Sequence, residues 1–102
     1  MKRDDIVGVL RAHESELREA GIASLSLFGS VARGDDRPDS DVDLVAKILD
    51  REKLGGFAYF GKADALRCRL EVLLAKPVSL VVEPVQKESL RIDIERDRFV
   101  AF

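Results

Sequence analysis

The chain predicts a small domain of the mixed α/β (α+β) class, a mixed β-sheet of about three to four strands flanked by helices. Three observations predict it. Amphipathic stretches with an apolar residue every three or four positions alternate with short runs rich in valine, leucine and isoleucine. Glycine and proline mark the junctions between these segments. A length of 102 residues allows one real but small core, so residues 1–102 are expected to form a single domain with no room for a second catalytic or substrate domain.

From about Asp4 to Ala20, the residues Ile6, Leu10, His13 and Leu17 fall at helical spacing among charged neighbours, and Gly21 is placed to stop this helix. His13, on the apolar stripe, reads as a helix-packing histidine rather than a base. Ala23 to Phe28 read as a short strand, with Ser26 and Phe28 on one face and Leu25 and Leu27 on the other. Gly29 ends it, and Ser30 opens a short helical turn. The polar run from Gly34 to Ser40 is a loop with strong turn chemistry that delivers the chain into a second strand, Asp41 to about Ile48.

The segment from Asp50 to Gly56 is a connector, expected to be mobile, whose paired glycines weaken any helix that crosses it. Phe57 to Ala75 predict a long second helix stopped by Pro77. Val78 to Val82 predict a third strand, ended by Glu83 and Pro84. Gln86 to about Arg96 predict a last helix, weaker in pattern because Ile92 and Ile94 also alternate as in a strand. Phe99 to Phe102 form an apolar tail that suits either core or interface, the core being favoured because a small domain needs its aromatics.

Composition removes several function classes. A chain that is 46% hydrophobic and 35% charged is neither disordered nor of low complexity. With 17 Lys and Arg against 19 Asp and Glu, the net charge of -2 argues against a broad nucleic-acid surface and against a template-reading polymerase. Cys68 is the only cysteine, so no intrachain disulfide and no Cys/His zinc cluster can form, which suits a reducing cytoplasm. No apolar run approaches the ~18 residues that span a membrane. A cytoplasmic protein is expected.

The chemistry concentrates in one run, Leu27-Phe28-Gly29-Ser30-Val31-Ala32-Arg33-Gly34, followed by Ser40-Asp41-Val42-Asp43-Leu44. A strand that ends in Gly29-Ser30 and enters a helical turn offers backbone N–H groups and a hydroxyl to a polyphosphate, with no Cβ on the glycine to block close approach. Arg33, at the end of the same turn, can present its guanidinium to a phosphate. Asp41 and Asp43 are spaced i, i+2 in a strand, which points both carboxylates to one face with Cα atoms roughly 6–7 Å apart. Two like charges there are strained without cations, and Mg²⁺ completed by substrate phosphates would relieve them. Ser40 is positioned to orient Asp41 by a hydrogen bond. Each feature alone has a plainer meaning, a capped turn or solvated acids; together they read as a metal–nucleotide site.

This run resembles the signature of the nucleotidyltransferase superfamily that includes DNA polymerase beta and the aminoglycoside nucleotidyltransferases. It is most similar to the minimal nucleotidyltransferases, small proteins often paired with a helical HEPN-family toxin, and the likeness covers nearly the whole chain. The resemblance implies a nucleotidyltransferase fold with both motif strands at the sheet centre. It implies that Ser30 bonds the β- or γ-phosphate of a nucleoside triphosphate, supported by the backbone of Gly29 or Ser30, while catalytic Asp41 and Asp43 hold the metal. Family members usually add a third carboxylate from the next strand, and Ser79 in Val78-Ser79-Leu80-Val81 stands where that aspartate would be. Glu83 and Glu71 are the acids nearest in sequence that could take its place.

The function expected is therefore ATP–Mg²⁺ binding and transfer of AMP to a hydroxyl. The resemblance implies a protein acceptor, because small-molecule transferases of this superfamily use an additional helical domain to form the acceptor pocket and a chain of this size is not expected to hold one. By resemblance, that partner is a HEPN-type toxin modified on a tyrosine, and the chain is its antitoxin. Two rivals stand beside this reading: an antitoxin with a degenerate site, favoured by Ser79, that acts by binding alone, and the nucleotide-binding subunit of a split small-molecule transferase. A homo-oligomer is compatible with each.

Overall fold

A computed structural model of the chain describes residues 2–49 and 56–102. The order of elements is α1 (Arg3–Ala12), α2 (Glu14–Glu19), β1 (Ile22–Phe28), α3 (Gly29–Arg33), β2 (Val42–Ile48), α4 (Gly56–Leu74), β3 (Val78–Val82), α5 (Glu88–Asp97) and β4 (Phe99–Val100). The expected connector falls largely on residues 50–55, outside the described residues. Among the described residues no helix is long and apolar enough to cross a membrane.

The strands form one mixed sheet in the order β3-β2-β1-β4, with the two motif strands at its centre. β1 runs antiparallel to β2 and β4, and β2 runs parallel to β3. One face of β2 carries Val42, Leu44 and Ala46, which join Leu25 and Leu27 of β1 in the main core. Ile6 and Leu10 of α1, Leu17 of α2, and Leu66, Leu70 and Leu74 of α4 pack in the same cluster. Truncating any of these leucines to alanine removes about 2–5 kcal/mol of stability. On the other face, Phe28 and Val45 pack against Ile94 of α5 in a smaller cluster. Strand alternation puts Asp43 on this second face, beside Val45.

Two elements depart from the sequence expectation. The first helix is interrupted at His13, whose backbone (φ -105°, ψ 16°) leaves the helical region and starts α2 afresh. The His13 Nδ1 atom lies 2.8 Å from Glu16 Oε2 in the first turn of α2, and Arg11 Nε donates to the Ala101 carbonyl at 2.7 Å. These polar contacts reward a break that hydrophobic spacing alone does not signal. The apolar tail, in turn, adds strand β4: Val100 pairs with Ser26 and Phe99 with Leu27, and Ala101 and Phe102 both donate their backbone N–H groups to the Leu25 carbonyl. The tail thus serves the core and also closes the open edge of β1.

Candidate functional site

β1 and β2 pair in a register that sets Phe28 opposite Asp43, so the turn that follows Phe28 begins directly over the Asp43 side chain. Gly29, the first residue of α3, has φ +75°. A Cβ built on it would lie 2.4 Å from Asp43 Oδ2, closer than any real contact. Glycine is required twice here, by its backbone conformation and by the carboxylate pressed against its Cα. Ser30 follows as the second residue of α3, and its carbonyl accepts the Asp35 N–H at 3.0 Å, tightening the exit of the turn. Gly34 ends α3 in the left-handed region at φ +81° and allows the loop to reverse.

Asp41 is exposed just before β2, and Asp43 is half-buried within it. Burial pushes the Asp43 carboxyl above its ordinary range, the Asp41 charge adds to that, and only the field of Arg33 opposes it. The pair is thus a concentration of negative charge at one end of the sheet. Both groups are hard oxygen donors, suited to a magnesium-like cation that takes its remaining ligands from substrate phosphates and water. Among the described residues, no group of three His, Cys, Asp or Glu gathers to hold a metal by itself. The donor set fits a cation delivered with a polyphosphate better than a permanently caged one.

β3 lies next to β2 with Asp43 paired to Ser79, so an exposed serine is the immediate cross-strand neighbour of the half-buried carboxylate. The other acids near in sequence are engaged elsewhere. Glu71 accepts the Val78 N–H at 2.9 Å and Arg67 Nη1 at 2.7 Å, which ties α4 to the start of β3. Glu83 accepts Arg98 Nη2 at 2.9 Å. Ser40 does not orient Asp41: its Oγ accepts the Arg37 N–H at 2.9 Å and so closes the loop turn ahead of it. A serine three residues along a turn commonly satisfies that turn's backbone first.

Arg33 is the best-anchored of the expected site residues. Its Nε donates to Asp35 Oδ2 at 3.1 Å and its Nη1 to Asp97 Oδ2 at 2.8 Å. With Gly34 it also lines an open cleft of about 240 Å³ shared with Lys2, Arg3, Asp4 and Asp36. Asp97 was not legible in sequence as part of this neighbourhood. It stands 64 residues from Arg33 and, within Arg96-Asp97-Arg98, reads as one more surface charge.

Residues 10–101 match the family model described as nucleotidyltransferase domain. The chain belongs to the nucleotidyltransferase domain family. Among the minimal nucleotidyltransferases of this family, it is 33% identical over 95 residues to the protein adenylyltransferase MntA of Thermococcus cleftensis, covering 92% of this chain and 90% of that protein. A solved minimal nucleotidyltransferase superposes with a TM-score of 0.75 at 28% identity, covering 97% of this chain and 95% of that one. A third neighbour, from the complex of a tri-AMPylated Shewanella oneidensis HEPN toxin with its MNT antitoxin, gives a TM-score of 0.63 at 17% identity, covering 94% of this chain and 71% of that one. That last likeness speaks for the fold alone. In this nucleotidyltransferase, then, the glycine turn and the aspartate pair converge at the end of the two central strands, and the loop of residues 34–40 joins them.

Proposed function

We propose that this nucleotidyltransferase binds ATP with Mg²⁺ and transfers AMP to a hydroxyl of a partner protein, as the antitoxin of a HEPN-type toxin in the cytoplasm. The observation that carries the reading is the close approach of Gly29 to the half-buried Asp43, which has no ion pair among the described residues. It leaves no room for even a Cβ between a turn suited to phosphates and a carboxylate suited to a cation. In this reading Gly29, Ser30 and Arg33 hold the phosphates, and Asp41 and Asp43 hold the metal. Bound Mg²⁺ would offset the charge that builds on the α-phosphate and on the departing pyrophosphate. The acceptor oxygen bonds to the α-phosphorus, the bond to the bridging oxygen breaks, pyrophosphate leaves, and the hydroxyl proton passes to water. The name of the Thermococcus relative, a protein adenylyltransferase, supports a protein acceptor. The class of partner is an analogy with that fold neighbour, whose own complex holds a tri-AMPylated HEPN toxin.

A second reading has an observation of its own. Ser79 sits in register beside Asp43, at the position expected for a third carboxylate, and a hydroxyl cannot hold a second metal or draw a proton as a carboxylate does. In that reading the chain neutralises its toxin by contact alone. One experiment separates the two: α-phosphate-labelled ATP and Mg²⁺ are incubated with the chain and the proteins that co-purify with it, beside an Asp43→Asn control. Label on a partner that vanishes in the control is the expected result. Absence of label while ATP–Mg²⁺ still binds would select the contact-only antitoxin.

A further inference from the structure

The two carboxylates that share the Arg33 guanidinium are unequal. The Asp35 side chain is 60% exposed, and the Asp97 side chain is 3% exposed. Asp97 is also the last residue of α5, where the helix carbonyls disfavour a negative charge. What offsets that placement is a pair of guanidiniums: Arg33 Nη1 on Oδ2, and Arg96 through Nε on Oδ1 at 3.0 Å and Nη2 on Oδ2 at 3.1 Å. A carboxylate held this way and shielded from water keeps its partner in place, whereas an exposed pair such as Arg33 with Asp35 exchanges readily with other anions. Arg33 closes α3, the turn that begins at Gly29 over Asp43, and α5 packs on the same sheet face as Asp43. The Arg33–Asp97 bond therefore couples the end of α5 to the phosphate turn across 64 residues of sequence.

We infer that Asp97 is a positioning residue for the nucleotide: it clamps one edge of the Arg33 guanidinium so that the edge now covered by Asp35 is presented to a phosphate, which displaces Asp35. The inference rests on the proposed role of Arg33 as a phosphate ligand. It gives the two carboxylates on one guanidinium opposite effects. Removing the buried clamp loosens the arginine and weakens binding, while removing the exposed competitor frees the arginine and strengthens it.

The test is the dissociation constant of ATP with Mg²⁺, measured by calorimetry on the full chain and its variants. Arg33→Ala is expected to weaken binding by about tenfold or more, the worth of a charge-assisted hydrogen bond to phosphate. Asp97→Asn is expected to weaken it by about three- to tenfold, Asp97→Glu less than Asp97→Asn, and Asp35→Asn to tighten it by about two- to threefold. Combining Asp97→Asn with Arg33→Ala should then cost no more than Arg33→Ala alone, because both act through one group. A merely structural Asp97 would lower the melting temperature and leave the affinity of the folded protein unchanged, and that result overturns the inference. Should Asp97→Asn fail to fold, Asp35→Asn still decides, since unchanged or weaker binding there contradicts it. Wild-type affinity in Arg33→Ala would instead remove the phosphate role of Arg33 itself, a failure distinguishable from an inert Asp97.

Discussion

Asp43 and Asp97 are both withdrawn from water, one at the tip of the central strands and the other at the end of α5, and their surroundings act on them in opposite directions. Asp43 has burial and the Asp41 charge raising its pKa. Asp97 is held below the ordinary carboxylate range by hydrogen bonds from Arg96 and then Arg33, against the effect of its burial. Of 17 basic residues the chain sets two, Arg96 and Arg33, on one acid while leaving the other beside a like charge. Asp97 is neutralised by guanidiniums of the chain itself; Asp43 has no ion pair among the described residues, and in the proposed reading a cation that arrives with the nucleotide supplies one.

The comparison is broken most severely by removing the like charge beside Asp43. Asp41→Asn is expected to reduce AMP transfer by about a hundredfold or more, as losing one group that stabilises charge in the reacting complex commonly does. Transfer of label to the partner measures it, and wild-type rates would separate the aspartate pair from the chemistry. Gly29→Ala should come next. The new Cβ would collide with Asp43 Oδ2, and φ +75° costs an alanine about 1–2 kcal/mol before the collision is counted. Loss of both thermal stability and ATP binding is expected, and a fully stable variant would deny the close approach.

A smaller effect sharpens the contrast through pH. Folding raises the Asp43 pKa, so its contribution to stability is fully present below its ordinary value of 3.8 and is lost as pH rises through the folded value. Asp43→Asn, which never ionises, should therefore gain on the wild type as pH rises and melt above it at pH 7 without ligands. Asp97 has the opposite linkage: its contribution is present above 3.8 and is lost as pH falls through its lowered folded value. Asp97→Asn should thus melt below wild type at pH 7, with the deficit shrinking in acid. Melting curves of the three proteins from pH 3 to 7 check both signs at once. Parallel curves would show that the two carboxylates do not differ as described.

The two regions were also unequally legible in the sequence. The Asp43 side is built from local signals: a strand that alternates cleanly, a glycine at its end, and acids spaced to share a face, all within 17 residues from Leu27 to Asp43. The register that seats Gly29 on Asp43 is set by the pairing of β1 with β2, since the connection between them, residues 29–41, carries α3 and a loop of its own. The Asp97 side depends on where α5 docks, a tertiary outcome that no spacing in Arg96-Asp97-Arg98 records. The same holds for the break at His13, which is favoured by Glu16 and by the docking of Arg11 on the C-terminal carbonyls, and for Ser40, which turned to its own loop. The tail that closes the sheet as β4 carried only apolar character, and two paired residues are too few for periodicity to register.

The central claim, that Asp41 and Asp43 form the cation site of a nucleotide, is tested most directly by thermal melting with ATP at fixed concentration while Mg²⁺ is added. The wild type should rise by roughly 10 °C once the complex is a hundredfold above its dissociation constant, and Asp43→Asn should rise little over the same titration. An equal rise in both proteins would contradict the account and move the metal–nucleotide complex away from Asp43.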